Sequence, residues 1–121
     1  MDINFGLIDE MASKDWVYHL NSLEPFPARR FKEVASAFRT AFPDLNNTID
    51  EQIVEGNVVV SRGTSRGTQR GPLGTIPATG KSVSVPWMIL TRFDNGRIVE
   101  DREIYDELAL MQQIGVIPET D

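Results

Sequence analysis

The clearest hydrophobic rhythm in the chain runs from 28 to 41. Phe31, Val34, Ala35, Phe38 and Ala41 recur at the 3.6-residue period, and Arg29, Arg30, Lys32 and Glu33 fall on the opposite side. Pro27 suits a first helical turn and Pro43 stops the helix after Phe42, so the pattern predicts an amphipathic helix with one face against a core. A shorter stripe of Phe5, Ile8, Met11 and Ala12 predicts a helix over 4–12. Between the two, Trp16 to Leu20 reads as a brief extended or irregular stretch closed by Pro25 and Pro27.

Beyond 45 the rhythm changes to that of strands. Thr48 to Val54 carries Ile49 and Ile53 among acidic residues, Glu55-Gly56-Asn57 is a turn signal, and Val58-Val59-Val60 starts a strand running toward Thr68. Gly71 to Gly80 reads as a loop, and Ser82 to Phe93 as a long strand rich in Val, Trp, Ile and Leu. Asp94-Asn95-Gly96 is a hairpin signal, because Asn-Gly tolerates the positive φ of such turns. Arg97 to Asp106 is the returning strand, and Leu108 to Ile114 a short final helix ended by Gly115 and Pro118. Helices before about four antiparallel strands predict one α+β domain over 1–121. The expected shape is a cone-like curved sheet with the N-terminal helices packed over it and an apolar pocket between.

Composition narrows the function. The net charge of −6 disfavours nucleic acid as a partner, since phosphate contacts need clustered Lys and Arg. With no Cys, thiolate nucleophiles, disulfides and Cys-based metal sites are excluded. A single His offers no metal constellation, and neither metal nor organic cofactor is expected. No apolar run reaches the roughly 18 residues of a membrane span, and MDINFGLIDEM lacks a signal-peptide pattern, so no membrane association and a cytoplasmic location are expected.

Two motifs resolve to ordinary readings. Gly74 to Ser82 resembles a phosphate loop, but five residues stand before Gly80-Lys81 where the pattern wants four. The Arg-Gly repeat from Ser61 to Gly71 fits a strand with Arg62 and Arg66 on one face and Gly63 and Gly67 as places to bend.

Two residues are candidates for proton chemistry. His19 is a candidate general base or carbonyl polariser, against the ordinary reading of a hydrogen-bonded side chain. Asp106 shares strand parity with Glu100, Arg102 and Ile104, and a carboxylate inside an apolar cone would be desolvated with its pKa raised. The alternative is that Asp106 caps the final helix. Trp16, Tyr18, Trp87, Ile89, Arg102 and Ile104 are the expected substrate-binding residues.

Several segments in order carry a family resemblance: Asp15-Trp16-Val17-Tyr18-His19, Ala41-Phe42-Pro43-Asp44-Leu45, Arg66-Gly67-Thr68, Ile76 to Lys81, Arg92 to Glu100, and Asp106 to Gly115. Together they resemble the SnoaL-like polyketide cyclase or ester cyclase family, with the nuclear-transport-factor-2-like fold. The resemblance implies a cone-shaped barrel, a homodimer through the sheet, and cofactor-free ring closure of a hydrophobic small molecule by intramolecular aldol chemistry. It carries the acid/base role to Asp106, with His19 or Tyr18 holding the enolate oxygen. Where the family commonly has His-Trp after Ile-Val-Glu, this chain has Asp101-Arg102; Gly63 stands for a family aromatic and Gln69 for a His, which implies a more polar pocket. The family's opening lid helix is expected to be absent. Two other functions share the architecture: an epoxide-hydrolase-like enzyme, for which Arg102 between Asp101 and Asp106 would organise a water, and a non-catalytic ligand-binding or dimerisation module.

Overall fold

The structure, a computed structural model, describes residues 10–118. Its element order is β1 (Ala12–Leu20), α1 (Ala28–Ala41), β2 (Asn46–Glu55), β3 (Val58–Thr68), β4 (Ser82–Asp94), β5 (Arg97–Tyr105) and α2 (Glu107–Gln113). The five strands form one sheet in the order β1-β5-β4-β3-β2. Helices and sheet thus make the expected α+β architecture, with the sheet curved and unclosed. The predicted helix over 4–12 lies mostly outside the described residues; of it, Glu10 and Met11 are helical and Ala12 already begins β1.

The segment read as irregular, Trp16 to Leu20, belongs to a fifth strand. It runs parallel to β5, with Val17 opposite Glu100 and Leu20 opposite Glu103. Trp16, Tyr18 and Leu20 alternate inward and are buried, the period of a strand with one face on a core. β1 therefore precedes α1 and forms one edge of the sheet itself.

The remaining strands form antiparallel hairpins. Asn95 and Gly96 both have positive φ, as a two-residue hairpin turn with matching twist requires. Gly63 on β3 has a packing reason: a Cβ there would overlap the Thr48 carbonyl oxygen and the indole ring of Trp87, which lies across it from β4. In β5 the register steps from Arg92 opposite Glu100 to Phe93 opposite Ile98, leaving Val99 as an extra residue. That bulge resets the side-chain phase, so Ile98 and Asp101 both face the concave side.

α1 lies over the concave face. Its N-cap, Pro27, supplies no side-chain hydrogen bond, but the helix buries Ala35 and Ala41 and ends with Phe42 N–H bonded to Phe38 O at 2.8 Å. Two apolar clusters result. One joins Ala41, Phe42, Val83, Val85, Leu110 and Ile114; the other joins Trp16, Tyr18, Leu20 and Phe26, and Tyr105 packs against both. α2 seals the first cluster with Leu110, and Gln113 pins it by bonding both the N–H and the carbonyl of Ser84.

The loop after β3 closes on a fully buried glutamine. Gln69 donates to Pro77 O at 3.2 Å, accepts from Thr79 Oγ1 at 2.7 Å, and its backbone bonds Lys81 O and Gly80 N. Gln69 is therefore a structural staple, not a polar pocket group. Arg62 and Arg66 point to the outer face, where Arg62 meets Glu51 at 2.8 Å. Among the described residues, no helix is long and apolar enough to cross a membrane.

Candidate active site

Between the two clusters lies a cavity of about 340 Å³. α1 roofs it with Phe31, Val34, Ala35 and Phe38, β4 supplies Val83, Val85, Trp87 and Ile89, and β1 supplies Trp16, Tyr18 and Leu20. The wall is overwhelmingly apolar, as small-ligand sites are. Its polar side chains gather in two places: Asp101, Glu103 and Tyr105 on β5 beside Tyr18, and Asn47 with Ser65 on β2 and β3, where Ser65 Oγ donates to Asn47 Oδ1.

Asp101 is the most enclosed acid, with 5% of its surface exposed. Trp16 Nε1 donates to Oδ2 at 2.9 Å, and Thr91 Oγ1, directly across the β4–β5 ladder, donates to Oδ1 at 2.6 Å. Burial pushes its carboxyl above the usual carboxylate range; the Thr91 and Trp16 hydrogen bonds pull the other way, and nearby Glu100 adds to the rise. Glu103, two residues on and facing the same side, accepts a hydrogen bond from Tyr18 Oη through Oε1. Burial raises its pKa, the Tyr18 bond opposes that, and the charge of Asp101 reinforces it. Burial and Glu103 together hold the Tyr18 phenol far above its ordinary value. The Tyr105 phenol is pushed up to about 12, by burial first and then by Glu107 and Glu103.

The β1 register explains this assembly. Tyr18 pairs with Asp101 and Leu20 with Glu103, yet Trp16 reaches Asp101 and Tyr18 reaches Glu103. Each aromatic leans one inward position along the neighbouring strand, so the polar atoms of two large side chains converge on two acids. Edge-to-face contacts of Trp16 with Tyr18 and with Phe31 hold the rings in place.

The sequence-derived site is only partly assembled here. Trp16, Tyr18, Trp87 and Ile89 stand in the cavity wall. Asp106 does not: it is exposed and caps α2, its Oδ1 accepting from Ala109 N at 2.9 Å. Arg102 and Ile104, of the same parity, also face outward, Ile104 at 69% exposure and Arg102 bonded to Glu100 at 3.1 Å. His19 faces that side too, 3.4 Å from Glu100. The even-numbered positions of β5 after the Val99 bulge face outward, opposite to the face that parity predicts for Arg102, Ile104 and Asp106. For the same reason parity does not reveal Glu103 as a cavity residue, and it gives Asp101 only as a neighbour of Arg102. The available signal was Trp16 and Tyr18, whose indole and phenol groups need buried partners, together with the odd-numbered polar residues of β5.

Among the described residues, no group of three or more His, Asp or Glu side chains converges as metal ligands would. One donor is left over. The Nε1 of Trp87 is buried without a hydrogen-bond partner, in a residue that lines the cavity.

Comparison with known proteins places this architecture. The family profile described as SnoaL-like polyketide cyclase matches residues 2–114. The chain belongs to the SnoaL-like polyketide cyclase family. A candidate SnoaL-like polyketide cyclase from Jannaschia sp. CCS1 superposes with a TM-score of 0.86 at 25% identity, covering 94% of this chain and 80% of that one. IdmH, a candidate polyketide cyclase from Streptomyces antibioticus, gives 0.82 at 25% identity over 93% of this chain and 87% of its own. AclR, a candidate hydroxylase from Streptomyces galilaeus, gives 0.86 at 24% identity, over 96% of this chain and 73% of its own, and supports the fold alone. No curated protein matches the chain. Within this SnoaL-like domain, which shares the nuclear-transport-factor-2-like fold, the Asp101-Arg102 departure acquires a meaning: Asp101 is the residue that enters the cone and Arg102 the one that leaves it.

Proposed function

We propose that the chain is a cyclase- or isomerase-type enzyme that moves a proton on an apolar carbonyl compound, with Asp101 as the transferring carboxylate. The observation that carries this reading is Asp101 itself, buried in the wall of an apolar cavity with one side-chain donor on each oxygen. A desolvated carboxylate is a stronger base than one in water, and the Trp16 and Thr91 donors keep the ionised form accessible while fixing its direction. Its place in the mechanism is the one the resemblance gave to Asp106, whose exposed, helix-capping position offers no contact with the cavity.

The chemistry follows from that geometry. An ionised Asp101 takes a proton from the carbon next to a carbonyl, and the carbonyl oxygen gathers the charge. Trp87 lines the same wall with an unpartnered but buried Nε1–H, which can serve such an oxygen once the ring turns toward the cavity. The enolate carbon can then add to a second carbonyl of the same molecule, and Asp101 returns the proton to the new hydroxyl. The apolar roof of α1 limits water around the charged intermediate. The epoxide-hydrolase reading loses its organising cation, because Arg102 lies on the outer face.

The test uses 2-tetralone, a compact apolar ketone, in D₂O. Wild-type protein is expected to accelerate exchange of the α-protons seen by NMR, and folded Asp101→Asn to lose at least about 100-fold of that acceleration. Equal exchange by the variant overturns the assignment. Binding that raises the melting temperature with no exchange selects a ligand-binding module instead.

The outer face of the sheet supports the expected homodimer. Ile53, Met88 and Ile104 are exposed there, with Val60 and Leu90 half-buried between them. Sedimentation of wild type and Met88→Glu tests it: a wild-type dimer split by the variant is expected, and a wild-type monomer rejects it.

A further inference from the structure

Glu103 has no part in the reading above, although it lines the same cavity. It is the second acid of one β5 face, and residues two apart on a strand stand about 6.6 Å from each other. The two carboxyls are held differently. Each oxygen of Asp101 has a side-chain donor, whereas Glu103 has Tyr18 on Oε1 alone. Among the described residues, no Lys, Arg or His lines the cavity. The titratable groups that face Glu103 are Tyr18 from β1 and Asp101 and Tyr105 from β5; α1 and β4 present only uncharged side chains to the cavity.

We infer that Asp101 and Glu103 work as a pair sharing one proton, with Asp101 ionised as base and Glu103 neutral as acid, and that the substrate is an uncharged enolisable ketone. This rests on the proposed function and adds to it a second catalytic residue and a charge rule for the substrate. At about 6 Å and an effective dielectric near 20, ionising the second carboxyl is disfavoured about 100-fold. The proton settles on the carboxyl with fewer donors to its ionised form, and that is Glu103. Burial and the neighbouring Asp101 raise the Glu103 pKa in agreement with this.

The steps balance without any other reactant. Asp101 removes the proton from the α-carbon, and the C–H electron pair becomes the new carbon–carbon π bond. The carbonyl π pair moves to oxygen, which takes the proton of Glu103, leaving an enol, a neutral Asp101 and an ionised Glu103. In the return half the enol carbon takes a proton from Asp101, or attacks a second carbonyl whose oxygen takes it. The enol O–H proton goes back to Glu103, and both acids regain their starting states. A carboxylate-bearing substrate would add a second negative charge beside the one the pair carries, in a cavity that no cation lines among the described residues, so anionic analogues are excluded.

The experiment joins a titration to a rate. In the full-length protein labelled with ¹³C, the Glu103 carboxyl is expected to remain protonated at pH 7, and its midpoint to fall in Asp101→Asn. Ionised Glu103 at pH 7, or a midpoint unmoved by Asp101→Asn, overturns the shared proton. In the 2-tetralone exchange assay, Glu103→Gln preserves shape and hydrogen bonding but not acidity. It is expected to lose at least about 10-fold of the rate and the acidic role's limb of the pH profile. A wild-type rate in that variant overturns the role of Glu103. Binding of 2-naphthoate as tight as that of 2-naphthol overturns the charge rule. No exchange by wild type removes the proposed function, while the titration decides the pair by itself.

Discussion

Replacing Trp16 with Phe removes one hydrogen bond to Asp101 and leaves the other. The indole N–H lies 2.9 Å from Oδ2, and Thr91 still serves Oδ1 in the variant. A hydrogen bond to a charged group contributes about 1.5–3 kcal/mol, and one to a neutral group about 0.5–1.5 kcal/mol. The ionised form of Asp101 therefore loses about 1–1.5 kcal/mol more than the neutral form, and its pKa rises further. The folded pKa of Asp101 is already above its unfolded value. Its contribution to stability is then full below the unfolded pKa and is lost as the pH rises through the folded one. The substitution deepens that loss. Urea unfolding of wild type and Trp16→Phe should show a destabilisation larger by about 1–1.5 kcal/mol at pH 9 than at pH 4, or about 4–6 °C in melting temperature for a chain of this size. Loss of ring packing destabilises equally at both pH values, so the difference isolates the bond to the charge. Equal destabilisation at pH 4 and pH 9 would refute the claim that the indole supports an ionised Asp101.

Three further outcomes separate the cavity from its surroundings. Gly63→Ala should destabilise by about 2–4 kcal/mol in chemical denaturation, since its methyl group would overlap a backbone carbonyl and a packed indole. Asp106→Ala should cost about 1 kcal/mol through the lost cap of α2, with Asp106→Asn near neutral and both retaining wild-type ketone exchange. His19→Ala should change stability by less than about 1 kcal/mol and leave the exchange rate untouched, because its partner Glu100 sits on the outer face; a large rate loss would return His19 to the site.

Much of the architecture was legible because single elements carried redundant signals. Phe31, Val34, Ala35 and Phe38 mark the inner stripe of α1, and Asn95-Gly96 fixes the β4–β5 hairpin. β1 was harder. Only Trp16, Tyr18 and Leu20 alternate, Lys14 and Asp15 interrupt what precedes them, and its partner strand lies at the far end of the chain. The site was lost to one residue. Ile98 and Ile104 have the same parity, so strict alternation turns the even positions of β5 inward, with Asp106 among them; the Val99 bulge keeps Ile98 inside and sends Ile104 out. A bulge of this kind leaves no mark in composition or period. The capping alternative for Asp106 was legible, since Asp before a short helical run is a common start signal.

Parallel pairing at the sheet's edge makes the enclosure of Asp101 and Glu103 depend on contacts between distant parts of the chain. Both aromatic donors reach acids 85 positions away in sequence. Contacts of such separation form late, after the local hairpins have stored their own hydrogen bonds. β5 alone sets Asp101 and Glu103 on one face, and docking of β1 adds the Trp16 and Tyr18 donors that enclose them. Whenever that strand detaches, water floods the acids and they revert to commonplace surface carboxyls, so amide protection of β1 and reactivity of the cavity should rise and fall together.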